Sequence, residues 1–133
     1  NQSGLSQLRD AIGACGYRVT GVEVRGCLHL KSAVTGVLKS AVTALSEDLL
    51  LVNRAWVDAS VFERDGFSLV DIDPAEPFAA NALDVGGVVV YPEEFPRTRN
   101  LLERCGVHVK TVAAGELAKA EGGVTCCSVI FRA

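Results

Sequence analysis

The sequence predicts an α/β protein made of strand-strand-helix-strand units set side by side as part of a propeller-like ring, and two observations lead there. The first is a pair of stretches with one layout. Residues 44–72 run Ala44-Leu45, a turn, the strand-like run 49–52, a helix over about residues 54–62, Gly66, and a strand from Phe67. Residues 82–112 run Ala82-Leu83, a Gly86-Gly87 turn, the run 88–91, a helix around 95–104, Gly106, and a strand from Val107. Matching landmarks lie 38 to 40 residues apart, the spacing of an internal repeat. The second observation is geometric: such a unit cannot cover both faces of its small sheet alone, so copies must stack or array radially. The chain holds only two and a half units. That is too few to close a ring, and the rest is expected from elsewhere.

Taken in order, the opening stretch carries Leu5, Leu8 and Ile12 at helical spacing and Gly16 as a C-cap. Tyr17 then begins the strand of a third copy. Gly16 and Gly66 are 50 residues apart, wider than the second spacing, and the surplus has a visible origin. Leu30-Lys31-Ser32-Ala33-Val34-Thr35 recurs as Leu38-Lys39-Ser40-Ala41-Val42-Thr43, an eight-residue step, and is read as an insertion forming a lengthened hairpin or bulge. After each glycine-led strand a new strand is expected, over residues 28–31, 80–83 and 123–129.

Composition bounds the function. At 133 residues, 49% hydrophobic and 22% charged, the chain can bury a core, and residues 1–133 read as a single unit. A net charge of −3 with Lys and Arg scattered singly argues against nucleic acid as a partner. No apolar run approaches the roughly 20 residues that span a bilayer, and the N-terminus lacks a signal-peptide layout, so a soluble protein with no membrane partner is expected. Five cysteines, odd in number and without Cys-x-x-Cys spacing, suit neither a disulfide framework nor a zinc site. Reduced thiols in a cytoplasmic protein are the simpler expectation. The chain has no methionine and opens on Asn1 directly into a helix, which reads as a start in mid-protein.

The expected third-strand positions carry the chemistry. His29 and Cys126 fall at equivalent places on equivalent strands, and if those strands line the axis of a radial array the two side chains converge. A thiol and an imidazole within hydrogen-bond reach form a nucleophile and its acid–base partner. Because successive strand residues face opposite ways, only one of Cys126 and Cys127 can face such a site. A plainer reading stands beside this one: two small core cysteines in a strand ending Val129-Ile130-Phe131, and a half-buried, satisfied His29. His108 alternates with Val107 and Val109 and shares the polar face of Lys110, which makes it a surface residue. Glu121, just before Gly122-Gly123, suits either a cationic ligand or a solvated turn.

These segments resemble the dimethylarginine dimethylaminohydrolases of the guanidino-group-modifying (pentein) superfamily. The resemblance rests on Cys27-Leu28-His29-Leu30-Lys31-Ser32, Ala79-Ala80-Asn81-Ala82-Leu83, Tyr91-Pro92-Glu93-Glu94-Phe95-Pro96, and Glu116-Leu117-Ala118-Lys119 followed by Gly123-Val124-Thr125-Cys126-Cys127-Ser128. It implies the C-terminal half of a five-bladed α/β propeller that hydrolyses Nω-methylated arginine to citrulline and a methylamine, with no metal or cofactor. It implies Cys126 as nucleophile, His29 as catalytic histidine, and Ala120 and Glu121 as substrate-contacting positions. The implied partners are a small cationic substrate and the missing N-terminal half of the propeller, in cis or in trans; a homodimer is compatible. Arginine deiminases resemble the same segment but carry an aspartate two residues after the histidine, where this chain has Lys31. A methylated nitrogen has fewer N–H groups to satisfy, so Lys31 favours a methylarginine substrate. The alternatives are a deiminase or amidinotransferase-like enzyme of the superfamily, or a non-catalytic scaffolding relative.

Overall fold

A computed structural model describes residues 1–37, 49–120 and 122–131. Its core is the repeated unit, present twice. In the first, β1 (Val34–Val37) pairs antiparallel with β2 (Leu49–Val52), the short helix α2 (Ser60–Arg64) follows, and β3 (Ser68–Asp71) returns parallel to β2. In the second, β4 (Leu83–Val85) pairs antiparallel with β5 (Val88–Pro92), α3 (Pro96–Arg104) follows, and β6 (Val109–Val112) returns parallel to β5. Each sheet has three strands with the second in the centre. The central strands, Leu-Leu-Leu-Val and Val-Val-Val-Tyr-Pro, are continuous apolar runs, as strands covered on both faces should be.

One core joins the two units. Leu49, Leu51 and Val70 of the first sheet pack in the same cluster as Val89, Tyr91 and Leu102 of the second unit. Between the units runs a connecting segment fixed by buried polar groups rather than by a ladder. Asn53 Nδ2 donates to Pro77 O at 2.8 Å, Tyr91 Oη donates to Ala79 O at 2.6 Å, and Thr35 Oγ1 donates to Ala80 O at 2.6 Å while accepting from Ala82 N at 3.2 Å. The buried carboxylate of Glu76 in this segment accepts from Arg97 N at 3.0 Å and Thr98 N at 2.8 Å. It thereby satisfies the free amides at the start of α3, where Pro96 has no N–H to offer.

The structure corrects several expectations. The first-repeat helix starts at Ser60 rather than near Arg54. Asn53 turns the chain first: its Oδ1 accepts from Ala55 N at 2.9 Å and its carbonyl from Trp56 N at 3.0 Å, after which Asp58 Oδ1 accepts from Ser60 N at 3.1 Å. The opening helix is present as α1 (Gln2–Gly13), but the strand expected from Tyr17 is reduced to one bridge between Val24 and Val57. Among the described residues no strand lies beside 17–23 to complete a ladder. Residues 28–31 are not a strand either: Leu30–Ser32 form a 3₁₀ turn that follows extended His29. Residues 80–82 are loop, with β4 starting at Leu83, and residues 124–127 form a turn. The second copy of the tandem repeat falls in the connection from β1 to β2, outside the described residues.

Candidate active site

His29 is exposed and sits in extended backbone, φ −119° and ψ 140°, at the mouth of the 3₁₀ turn. Its carbonyl accepts from Ser32 N at 2.9 Å, closing that turn, and from the Cys27 thiol at 3.4 Å. Burial pushes the Cys27 thiol above its ordinary value, so it stays a neutral donor. Gly26 lets the chain enter this bend at φ +71° with Trp56 directly beneath, where a Cβ would lie 2.6 Å from the indole nitrogen. Among the described residues no hydrogen bond to the His29 imidazole is present.

His29 lines a cavity of about 930 Å³. Phe78, Pro92 and Phe95 give it an apolar wall, and Asn81, Glu94 and Lys119 supply polar groups. Glu94 is held in place by its Oε1, which accepts from Ala114 N at 2.9 Å, while Lys119 pairs with Glu116 at 2.6 Å. A mostly apolar concavity with a few fixed polar groups is the usual form of a small-molecule site. Among the described residues no group of three or more His, Cys, Asp or Glu is placed to hold a metal ion.

The segment leading to Cys126 reaches this cavity from the other end of the chain, but Cys126 itself does not line it. Gly122 and Gly123 line the cavity, and Cys126 follows in the turn they lead into. The Gly123 carbonyl accepts from Cys126 N at 3.0 Å and from Cys127 N at 3.4 Å, and Ser128 Oγ donates to Val124 O at 2.7 Å. Both cysteines are exposed. Face alternation along a strand therefore does not choose between them, because there is no strand here. The Cys126 sulfur lies 3.9 Å from Thr125 Oγ1 and is not part of the cavity wall.

What sequence reasoning missed is the residue joining the two segments. Asn81 is 6% exposed, and its Nδ2 donates to Lys31 O at 3.1 Å and to Thr125 Oγ1 at 2.9 Å, while Oδ1 accepts from Thr125 N at 3.1 Å. Its signal was present in the sequence: one amide in the otherwise apolar stretch Phe78-Ala79-Ala80-Asn81-Ala82-Leu83. Of the other expected positions, Ala120 is exposed just past α4 (Gly115–Ala118), with its N–H donated to Leu117 O at 3.1 Å, and Glu121 lies outside the described residues. His108 is exposed beside β6 and alternates with buried Val107, as its pattern predicts.

No family model matches the chain. The dimethylarginine dimethylaminohydrolase of Streptomyces coelicolor is 37% identical over 133 residues, covering 99% of this chain and 46% of the relative. That of Pseudomonas aeruginosa is 30% identical over 131 residues, covering 98% of this chain and 48% of the relative. A Cys-to-Ser mutant of the Pseudomonas enzyme solved with citrulline superposes with a TM-score of 0.78 at 29% identity, over 98% of this chain and 48% of that one. An amidinotransferase of the saxitoxin pathway from Microseira wollei shares the fold at TM-score 0.78 and 15% identity, over 99% of this chain and 39% of that one. The chain spans about half the length of the curated relatives it matches. It is a homologue of the dimethylarginine dimethylaminohydrolases, aligned over nearly all of its own length with about half of theirs.

Proposed function

We propose that this chain is the C-terminal half of the catalytic domain of a dimethylargininase-type hydrolase, with Cys126 as nucleophile and His29 as general acid and base. The observation that carries the reading is that Gly122 and Gly123, which lead into the turn bearing Cys126, line the same cavity as His29, with Asn81 bonded to Lys31 O on one side and to Thr125 on the other, in a homologue of enzymes named for this reaction.

The thiolate of Cys126 attacks the guanidinium carbon of a methylated arginine. Resonance makes that carbon a poor electrophile, so carboxylates must hold the group planar and in line. Both the cationic substrate and a protonated His29 favour thiolate over thiol. As the tetrahedral adduct collapses, the C–N bond to the methylated nitrogen breaks and His29 protonates the departing amine. Neutral His29 then takes a proton from water as its oxygen attacks the S-linked carbon. The C–S bond breaks, and citrulline leaves with the thiolate restored. One imidazole thus serves both half-reactions.

Among the described residues the cavity wall offers one carboxylate, Glu94. The remaining carboxylates, and the repeats that would close a five-bladed ring, belong in this reading to the other half of the protein, on the same chain or a separate one. Ala120 and Glu121 would contact substrate from the segment that precedes the Cys126 turn. The test is citrulline release from dimethylarginine. The complete protein is expected to release it, and the 133-residue chain alone is not. Release by the isolated chain contradicts the division of the site between two halves, and no release by the complete protein contradicts the activity.

A further inference from the structure

We propose that Asn81 is a positioning residue that locks the turn carrying Cys126 to the turn that follows His29. The proposal rests on the reading of those two residues as nucleophile and acid–base. Both donors of the Asn81 carboxamide are used, one on each turn: Lys31 O at 3.1 Å belongs to the turn opened by His29, and Thr125 Oγ1 at 2.9 Å immediately precedes Cys126. The acceptor closes the second link, taking the Thr125 N–H at 3.1 Å. In a turn with no ladder, that N–H would otherwise be left without a partner.

The lock has a rigid mount. Thr35 Oγ1 holds the backbone on both sides of Asn81 through Ala80 O and Ala82 N, and the Tyr91 hydroxyl holds Ala79 O. Asn81 is therefore fixed by the core strands and presents its amide to two segments that lack strand partners of their own. Gly123 completes the fit, since a Cβ there would lie 2.6 Å from the Asn81 Cγ and Oδ1. The Asn81 carboxamide bonds go to Lys31 O and Thr125 rather than to the imidazole or the sulfur, so its effect is on placement. A displacement of about 1 Å between reacting groups costs on the order of 10²-fold in rate.

The experiment has two arms. In the first, hydrogen exchange on the complete protein compares wild type with Asn81→Ala. Amides of residues 31–33 and 124–127 should lose protection together by about tenfold or more, corresponding to the loss of about one buried hydrogen bond. Those of β5 and α3 should be unchanged. In the second, the complete protein turns over dimethylarginine. Asn81→Ala should lower kcat by about 10- to 100-fold with KM shifted less than about threefold. Thr125→Ser, which keeps the hydroxyl, should retain activity, and Thr125→Val added to Asn81→Ala should cost nothing further. Should Asn81→Ala fold poorly, Asn81→Asp keeps the size and the acceptor, loses both donors, and should show the same pattern. Exchange that rises only beside residue 81 or throughout the chain, or an unchanged kcat, overturns the positioning role alone. A wild-type complete protein that releases no citrulline overturns the functional reading, and the Asn81 proposal with it.

Discussion

His29 reaches its cavity because a glycine over Trp56 bends the chain, a neutral thiol tethers the histidine carbonyl, and a 3₁₀ turn closes behind it. None of these contacts uses the imidazole. Cys126 and Cys127 are harder to tell apart, since both are exposed in one turn. Cys126 directly follows Thr125, which Asn81 holds at both its amide and its hydroxyl, and its own amide makes the shorter bond to Gly123, 3.0 Å against 3.4 Å. Its position is the more firmly set. In the complete protein Cys126→Ser should abolish turnover and Cys127→Ser should spare most of it, measured as citrulline release. His29→Ala should lower the rate by about 10² to 10⁴-fold, the range of general acid–base groups, while His108→Ala changes little. Loss of activity on Cys127→Ser with retention on Cys126→Ser would reverse the assignment of the nucleophile.

The strands β2, β5 and β6 and the helix α3 were legible in the sequence because each combines a strong local pattern with partners inside the chain. Val88 to Tyr91 is an apolar run next to a Gly-Gly turn, and α3 opens on Pro96 and ends before Gly106 at φ +82°. The segments at 17–23, 28–31 and 123–129 were misread for one shared reason. They were read as strands, but a strand needs a neighbour; at 28–31 and 123–129 turns and the Asn81 side chain bond the backbone instead, and at 17–23 Arg9 bonds Val19 O. The late start of α2 was hidden in the turn made by Asn53. The segment joining the two units was legible least of all, because its order comes from buried polar contacts distant in sequence. Tyr91 is the test case. Burial, more than its other contacts, raises the phenol above its ordinary value near 10, so the folded state keeps its proton where the unfolded chain has released it. The resulting stability is full below about pH 10 and is lost as the pH rises beyond it. Tyr91→Phe should cost about 1 to 3 kcal/mol at neutral pH, since Ala79 O loses its donor. Urea midpoints taken from pH 8 to 11 should then fall less steeply in the variant than in wild type; parallel slopes would contradict this account of the buried phenol.

Two repeats share one core, and apolar side chains remain open beyond it: Tyr17 and Leu28 on one stretch, Val129, Ile130 and Phe131 on another. In the proposed ring these are the residues that further units would cover, and the cavity beside His29 would gain carboxylates to match a cationic guanidinium. Among the described residues no helix is long and apolar enough to cross a membrane. The tandem Leu-Lys-Ser-Ala-Val-Thr leaves the first sheet intact, since its first copy supplies Val34 and Thr35 to β1, paired with Val52 and Leu51. The central claim is that chemistry passes through a covalent bond to Cys126. The complete protein, quenched in acid during turnover of dimethylarginine and digested for peptide mass mapping, tests it directly. The account predicts a substrate-derived, S-linked adduct on the peptide at Cys126, absent in Cys126→Ser and accumulating when His29→Ala slows its hydrolysis. Turnover that leaves Cys126 unmodified at every quench time, or an adduct mapping to Cys127, would contradict it.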